Sequence, residues 1–279
     1  RIYVSRMEFL GITHTNDEVL RRELRQLEGT FLDPGALDAS RIQLERLPAV
    51  QRATLAVAAV PGAENIVDVI VTITEEPTRR YGIGGGYASS LRTSLHGYFI
   101  NDNLFGSGQR ASITAEIGEL SSIVEASHTN PFAFEAGVSR TIGLASRHVD
   151  RLTADTSSID MDVSEARLEY GYSIAQQQHL QLGVALRSTT LGAGATDSAQ
   201  LGSWIAANGE PTMAGQTLTT EFRELDLMFQ WRRDTRDRAT FPEHGLEQSL
   251  DARGALPASD VDYFAVRYDA TAYWAVGQW

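Results

Sequence analysis

The chain has 279 residues, no cysteine and a formal charge of −12 at pH 7, with 42% hydrophobic residues and a mean hydropathy of −0.21. This composition excludes a disordered chain, disulfides, thiolate catalysis and cysteine-ligated metals. It also argues against a nucleic-acid partner, which usually selects a basic protein, and no apolar run approaches the roughly 18–20 residues of a spanning helix.

The first pattern along the chain is a strand followed by a helix. Ile2 to Leu10 has the composition of a strand. Thr15 with Glu18 three residues later forms a capping box, which predicts a helix start. Apolar residues at helical spacing continue this helix to Leu27, and Gly29 provides a stop.

A second helix and two strands complete the first part of the chain. Pro34, just after Asp33, suits the first position of a helix. Residues 53–60 and 66–74 are apolar and β-prone, and the loop 61–65 joins them as a hairpin. Residues 1–77 are therefore expected to form an α+β domain in the order β-α-α-β-β.

From Arg79 onward, helical periodicity is replaced by strict alternation of apolar and polar residues. The apolar face contains Leu, Ile, Val, Phe and Trp, whereas the opposite face is polar and often charged. The predicted strands are about 9–13 residues long, whereas soluble sheets favour about 5–6. The clearest cases span residues 91–99, 111–117, 180–187, 224–231 and 264–274.

Two architectures give this alternation. A soluble β-sandwich buries the apolar face, whereas a transmembrane barrel turns it towards lipid and keeps a wet interior. Strand length favours the barrel, and so does the contrast between short connections at 103–108 and 175–177 and longer polar ones at 150–158 and 192–219. A soluble β-rich binding module stays open as an alternative.

Several motifs, in order along the chain, resemble the BamA family of outer-membrane protein assembly factors. Two lie on the predicted helices and one at the end of the first domain; the others lie on or between the predicted strands. They are VLRRELRQLEG (19–29), RIQLERL (41–47), EEPT (75–78), YGIGGGY (81–87), DNLFGSG (102–108), TNPF (129–132) and DTRD (234–237).

The resemblance implies a POTRA domain at residues 1–77 and, at 78–279, the N-terminal portion of an antiparallel transmembrane β-barrel. About ten of the family's sixteen strands would be present, and the family's Arg-Gly-Phe loop motif and C-terminal aromatic strand are missing. The sequence is thus expected to be a central fragment. The implied location is the outer membrane, with the POTRA domain in the periplasm.

The resemblance also implies a non-enzymatic function, the insertion of β-barrel proteins by strand templating at a lateral gate. The expected partners are accessory lipoproteins of the BAM complex, unfolded outer-membrane protein clients and outer-membrane lipid. A POTRA-barrel translocator of the two-partner secretion or autotransporter-assembly type is the alternative.

Two sets of site residues follow from the resemblance. An edge strand poor in side chains offers its main chain to a client, although the same glycines also suit a bend at a barrel rim. The expected client-pairing strand consists of Arg79, Arg80, Tyr81, Gly82, Ile83, Gly84, Gly85, Gly86 and Tyr87. Glu28 matches a lipoprotein-contact position, with Arg21, Arg22 and Arg25 as neighbours, against the alternative of a solvated helix face.

Other chemistry is disfavoured. No helix follows the glycine clusters, so they do not match nucleotide-binding loops. The six histidines have no metal-ligand spacing, and we expect no metal, no cofactor and no catalytic residue. Charges on the polar face are expected to form a salt-bridge network inside the barrel, with Glu116, Arg167, Glu169, Arg187, Glu224, Asp226, Arg267 and Asp269 among them.

Overall fold

The computed structural model describes residues 2–63, 65–88, 92–134, 137–149, 159–175, 177–194, 198–214, 217–238 and 241–275, without the side chains of residues 88, 92, 159 and 214. The chain divides into two compact units. The first comprises Arg1–Tyr81 with Phe99–Ala111, and the second Gly82–Tyr98 with Ser112–Trp279. The domain boundary after residue 77 stays a sequence prediction.

The first unit contains the predicted β-α-α-β-β domain. The strands form a three-stranded sheet in the order β1-β3-β2, with β1 parallel and β2 antiparallel to the central β3. The elements are β1 (Tyr3–Leu10), α1 (Asp17–Arg21), α2 (Pro34–Glu45), β2 (Val50–Ala59) and β3 (Ile66–Glu75).

The second helix begins where the sequence predicts. Pro34 is its first residue, and the Asp33 carboxylate caps it by accepting from the amide of Gly35 at 2.8 Å. Leu44 of this helix is fully buried among Val4, Val69 and other core residues. The apolar side of α2 therefore closes one face of the sheet.

The first helix is shorter than its sequence pattern predicts. It ends at Arg21, and its N-cap is Asn16 rather than Thr15. Beyond it, the amides of Arg25 and Gln26 donate to the Ser40 hydroxyl of α2 instead of continuing a helical ladder. Tertiary hydrogen bonds thus override helical periodicity after the first turn and a half.

The remaining strands form one sheet whose order is β14-β13-β12-β10-β9-β8-β7-β6-β5-β4, with β11 paired to β12. Ten long strands lie on this path, as the sequence predicts. They are β4 (Arg79–Ala88), β5 (Arg92–Leu104), β6 (Gln109–Gly118), β7 (Ser121–Phe134), β8 (Val138–Val149), β9 (Ile159–Ala175), β10 (Gln178–Ala193), β12 (Thr217–Asp234), β13 (Gly245–Ala255) and β14 (Phe264–Tyr273). The short β11 (Glu210–Ala214) pairs with β12 and lies off this path.

Most of these strands are long, and neighbours run antiparallel wherever the register is defined. Pairing of β7 with β8, β8 with β9, β9 with β10, β10 with β12, β12 with β13 and β13 with β14 is antiparallel. A third helix, α3 (Ala199–Ala207), and β11 lie within the segment 192–219, so the prediction of an unstructured polar connection there is wrong. The predicted connection 150–158 lies outside the described residues. None of the described helices is long and apolar enough to cross a membrane.

The apolar face of the sheet is its exposed face. One cross-strand row runs Leu144, Ala166, Leu186 and Leu225, and Leu144 and Leu186 are 58% and 62% exposed. A soluble sandwich would bury this row. The sandwich interpretation is therefore wrong, and the exposed apolar rows are typical of a lipid-facing barrel surface.

The opposite face carries a network of ion pairs. Arg187 lies 3.3 Å from Glu165 and 3.6 Å from Glu224, measured between guanidinium nitrogen and carboxylate oxygen. Arg253 contacts Glu165 at 2.9 Å and the fully buried Asp226 at 2.6 Å. This arrangement matches the predicted salt-bridge network at its centre and adds two members, Glu165 and Arg253.

The outer members of the predicted network behave differently. Arg167 lies 3.5 Å from Glu169. Arg267 and Asp269 pair at 2.7 Å but are 78% and 52% exposed. The charges are therefore densest on β9, β10, β12 and β13.

Candidate functional site

The predicted client-pairing strand is the end strand of the large sheet. β4 neighbours β5 on one side, and no described strand lies on its other side. Tyr81, Ile83 and Tyr87 on this strand are 82%, 88% and 76% exposed. An edge of this kind presents unpaired N–H and C=O groups to any extended chain that can reach it.

The two faces of β4 differ sharply. An ideal Cβ built on Gly82 would lie 2.6 Å from the Tyr98 ring, and one on Gly84 would lie 2.5 Å from the His96 ring. On the opposite face, a Cβ on Gly85 would lie 3.0 Å from Leu95 Cδ2. Rings of β5 therefore occupy the space that side chains would fill on one face of β4.

Gly86 differs from the other glycines of the strand. A Cβ there would meet no atom of the described residues within 4 Å. Of the four glycines, two therefore lie under a ring, Gly85 lies close to Leu95, and Gly86 has space for a side chain.

The start of the strand is anchored by charge. Arg80 Nη2 lies 2.6 Å from Asp102 Oδ2, and Arg110 Nε lies 3.5 Å from Asp102 Oδ1. The Asp102 amide also donates to the Thr78 carbonyl at 3.0 Å. Arg79, in contrast, is exposed.

Glu28, the predicted lipoprotein contact, has structural partners. Its Oε1 accepts from the Met7 amide at 2.7 Å and from Arg21 Nη1 at 2.8 Å. Both side chains remain accessible, with 44% of Glu28 and 42% of Arg21 exposed. The structure thus brings Glu28 and Arg21 together, whereas Arg22 lies 3.6 Å from Glu23 and Arg25 is exposed elsewhere on the loop.

Apolar residues beside Glu28 were not singled out as contact residues from the sequence. Leu27 is 60% exposed, and Tyr3 stacks on Phe31 with ring centroids 4.4 Å apart. Helical spacing places Leu27 on the apolar side of the predicted helix, but α1 ends at Arg21, and Leu27 lies beyond it on the surface. An apolar surface next to an accessible ion pair is typical of a protein contact.

The segment after Glu28 covers the outer edge of β1. Gly29 N donates to Val4 O at 2.8 Å, Val4 N donates to Thr30 O at 3.0 Å, and Leu32 N donates to Ile2 O at 2.9 Å. The remaining edge of this small sheet is that of β2, among the described residues.

A loop and a turn within the first unit are joined by polar contacts. Asn103 donates from Nδ2 to Thr15 Oγ1 at 2.9 Å, and its Oδ1 accepts from the Gly108 amide at 2.7 Å. The Asn16 amide donates to the Gly106 carbonyl at 2.8 Å. Thr15 and Asn103 are both buried, each 7% exposed, so the 103–108 turn is docked on the loop that precedes α1.

Glu75 holds the same loop from the other side. Its carboxylate accepts from the Thr13 hydroxyl at 2.5 Å and from the amides of Thr13, His14 and Thr15 at 2.8–3.0 Å. Burial alone would raise the pKa of Glu75, but the hydrogen bonds from Thr13 and Thr15 lower it to about 2. The ionised carboxylate is therefore the form that fits the site.

Replacing Glu75 by glutamine is expected to lower the free energy of unfolding of the first unit by about 1–3 kcal/mol at pH 7. Because the folded-state pKa of about 2 lies below the ordinary value of 4.5, the stabilisation is present above pH 4.5 and is lost as the pH falls towards 2. Urea unfolding at several pH values, read by hydrogen exchange at residues 13–15, measures the difference.

The adjacent Glu76, which is exposed, provides the control. Glu76→Gln should change the free energy of unfolding by less than about 0.5 kcal/mol. An equal effect of both substitutions, or a Glu75→Gln effect that does not shrink at low pH, would contradict the assigned role of Glu75.

One group of metal-ligating residues occurs among the described residues. His148, Asp160 and Asp162 have ligand atoms within 4.8 Å of one another, and all three are exposed. His148 Nδ1 lies 2.6 Å from Asp162 Oδ1. This is the geometry of a surface ion pair with a second carboxylate nearby, and we assign it no cation.

Family models cover almost the whole chain. The Omp85 superfamily domain matches residues 103–279. The POTRA model, described as a surface antigen variable number repeat, matches residues 2–76.

Relatives and solved structures agree with these models. BamA from Neisseria meningitidis serogroup B is 24% identical over 277 residues, which is 97% of this chain and 34% of that protein. BamA from Nitratidesulfovibrio vulgaris is 30% identical over 132 residues, 47% of this chain and 16% of that protein. The chain thus spans about a third or less of the length of these relatives.

The fold is similar to that of BamA from Haemophilus ducreyi lacking POTRA domains 1–3. The TM-score is 0.84 at 24% identity, over 97% of this chain and 51% of that one. CdiB from Escherichia coli is more distant, with a TM-score of 0.52 at 12% identity over 94% of this chain and 46% of that one. Because the Omp85 superfamily model matches residues 103–279, more than half of the chain, and a POTRA model matches residues 2–76, the chain belongs to the Omp85 superfamily.

Proposed function

We propose that this chain takes part in the assembly and insertion of β-barrel proteins into the Gram-negative outer membrane. It acts without a catalytic residue, nucleotide or metal, and its working element is the edge strand β4. The sheet lies in the outer membrane and the POTRA domain in the periplasm.

The observation that carries this proposal is the exposed edge of β4. In hydrocarbon, an unpaired backbone N–H or C=O group costs several kcal/mol. When a client strand pairs with β4, hydrogen bonds form between the backbone N–H and C=O groups of the two strands. Because these bonds remove the cost of unpaired groups in hydrocarbon, pairing favours insertion. Main-chain bonds are insensitive to side-chain identity, which suits a protein that must accept many client sequences.

The POTRA domain supplies a second contact in this proposal. Glu28 and Arg21 form an accessible pair beside the exposed Leu27. An accessory lipoprotein of the BAM complex is the proposed partner there, and no nucleic acid is involved, in keeping with the charge of −12.

The proposal predicts client adducts at β4. A photoreactive phenylalanine analogue at Ile83, in the intact protein as its gene encodes it, should cross-link to newly exported barrel proteins. Ile83 is preferable to Gly84 because it is 88% exposed, whereas a side chain at Gly84 meets the His96 ring. Mass spectrometry identifies the adducts.

Leu186 provides the matched control. It is 62% exposed on the same apolar face, but its strand is paired on both sides. Client adducts at Ile83 that do not exceed those at Leu186 would count against templating by β4. The same label at Leu27, with Val57 as its control, should capture the accessory lipoprotein.

The alternative of a POTRA-barrel translocator predicts a different adduct. A label at Ile83 would then capture no barrel clients, and a label inside the barrel, for example at Thr189, would capture a secreted chain. The sequence likeness to BamA at 24–30% identity favours assembly over translocation.

A further inference from the structure

The two rings that cover the glycines of β4 have no role in the function proposed above. His96 and Tyr98 lie on one face of β5, and their rings reach over Gly84 and Gly82 of the neighbouring strand. An ideal Cβ on Gly84 would lie 2.5 Å from His96 Cε1 and 2.6 Å from Nε2, and one on Gly82 would lie 2.8 Å from Tyr98 Cζ. Real Cβ atoms essentially never approach other atoms within 3.0 Å.

Glycine-rich strands have a register problem. Without side chains, a strand gains little from packing, and a slip along its neighbour costs little. An aromatic ring laid over a glycine of the adjacent strand restores the missing contact and fixes the pairing. Two such rings, two residues apart on one face, oppose the two-residue slip of β4 that would bring the side chain of Arg80 under the Tyr98 ring.

The rings act on the face of β4 and leave its edge untouched. Tyr81 and Ile83 on the other face remain 82% and 88% exposed. The strand is therefore held from one side while its outer N–H and C=O groups remain available to a newcomer.

We infer that His96 and Tyr98 are positioning residues of the client-pairing strand, whose rings take the place of the absent side chains of Gly84 and Gly82 and set the register of β4 on β5. A client that pairs with β4 copies the register of β4, so a slipped template would give misaligned clients. This inference rests on the proposed function.

Engineered cysteines can read the register directly, because the chain contains no cysteine. Gly85 contacts the Leu95 side chain on the apolar face, so the pair Gly85→Cys and Leu95→Cys should form a disulfide in the native register. The pair Gly85→Cys and Thr93→Cys should form one only after the two-residue slip that brings Arg80 under the Tyr98 ring. Both pairs are introduced into the intact protein in membranes.

Removing both rings, with His96→Ala and Tyr98→Ala, should lower the ratio of native to slipped disulfide by roughly fivefold, the population change produced by about 1 kcal/mol. The yield of client adducts at Ile83 should fall in parallel. A ratio and an adduct yield that both stay within about twofold of wild type would overturn the inference.

Substitution of the glycines tests the contact from the other strand. Gly84→Ala should shift the ratio because its methyl group and the His96 ring cannot occupy one place, and the double variant Gly84→Ala with His96→Ala should recover at least part of the loss. Gly86→Ala, with open space at its Cβ, should leave the ratio unchanged. No recovery in the double variant, or an equal effect of Gly86→Ala, would contradict the ring contact.

The two proposals fail separately. A register shift on ring removal, in a protein whose wild-type form gives no client adducts, would reject templating and keep the positioning role. Client adducts in the wild type, together with an unchanged register after ring removal, would keep templating by β4 and reject the positioning role of His96 and Tyr98.

Discussion

Gly106→Ala is expected to destabilise the docked turn of the first unit by about 3 kcal/mol, from about 1–2 kcal/mol of backbone strain and about 1–3 kcal/mol of overlap. Gly106 has φ +76°, and a Cβ there would lie 2.2 Å from the His14 carbonyl oxygen and 3.0 Å from Asn16 Oδ1. The nearest atom belongs to the backbone, so it cannot rotate away.

Hydrogen exchange of the Asn16 amide measures this effect, because that amide donates to the Gly106 carbonyl. An opening free energy that is lower by about 3 kcal/mol corresponds to exchange that is about a hundredfold faster. The Gly108 amide, which donates to Asn103 Oδ1 in the same docked turn, should lose protection together with Asn16.

Gly62→Ala separates strain from overlap. Gly62 has φ +84°, but nothing lies within 4 Å of its ideal Cβ. Its replacement should cost only the backbone strain of about 1–2 kcal/mol. An equal loss of stability in Gly106→Ala and Gly62→Ala would mean that the Gly106 turn does not pack closely against the His14 backbone.

Arg253→Met is expected to lower the free energy of unfolding of the sheet by about 3–5 kcal/mol. Arg253 neutralises Asp226 at 2.6 Å and Glu165 at 2.9 Å. Asp226 is fully buried, and its Oδ1 has no hydrogen-bond partner among the described residues. Without the guanidinium group, Asp226 and Glu165 would face each other in a largely buried site with no cation between them. The loss of stability should appear as a lower urea midpoint for the folded band in unheated gel electrophoresis.

Arg267→Met is the control for this prediction. Its pair with Asp269 has a similar distance of 2.7 Å but is exposed to solvent, so its removal should shift the urea midpoint far less than the removal of Arg253 does. Adding Asp226→Leu to Arg253→Met should recover part of the stability, because an apolar pair replaces an unpaired charge. No recovery would show that Arg253 contributes through packing rather than through charge.

Much of the fold was predictable because its signals are local. Asp33 and Pro34 specify the start of α2 within three residues, and the structure places both as predicted. Alternation along 180–187 and 224–231 assigned each side chain to a face, and the exposed Leu186 and buried Asp226 follow that assignment.

The first helix shows where local signals fail. Val19, Leu20, Leu24 and Leu27 have helical spacing, yet only the first two lie within α1. Leu24 is buried in the core without helical geometry, and Leu27 is exposed. Periodicity reports which residues are apolar, but the hydrogen bonds that the amides of Arg25 and Gln26 donate to the Ser40 hydroxyl, 14–15 residues further on, decide how the chain turns.

Part of the candidate site was predictable from the sequence, and part required the tertiary structure. Gly82, Gly84, Gly85 and Gly86 stand out in the sequence as a strand with few side chains, and the family resemblance predicts that this strand lies at an edge of the sheet. That Gly84 lies under His96 whereas Gly86 lies under nothing is invisible in the sequence. The same holds for Glu28, whose bonds to Met7 and Arg21 join residues 21 and 7 positions apart.

By itself, the sequence determined the order of the long strands and of α2, and the face on which each strand residue lies, because helix and strand periods are set by neighbouring backbone angles. It did not predict α3 and β11, which lie in the segment 192–219. Only the tertiary structure decided which residues meet across strands and loops, such as Thr15 with Asn103, which are 88 positions apart. Those meetings depend on register and on loop closure, and a displacement of two residues along a strand preserves every local pattern while it replaces every partner.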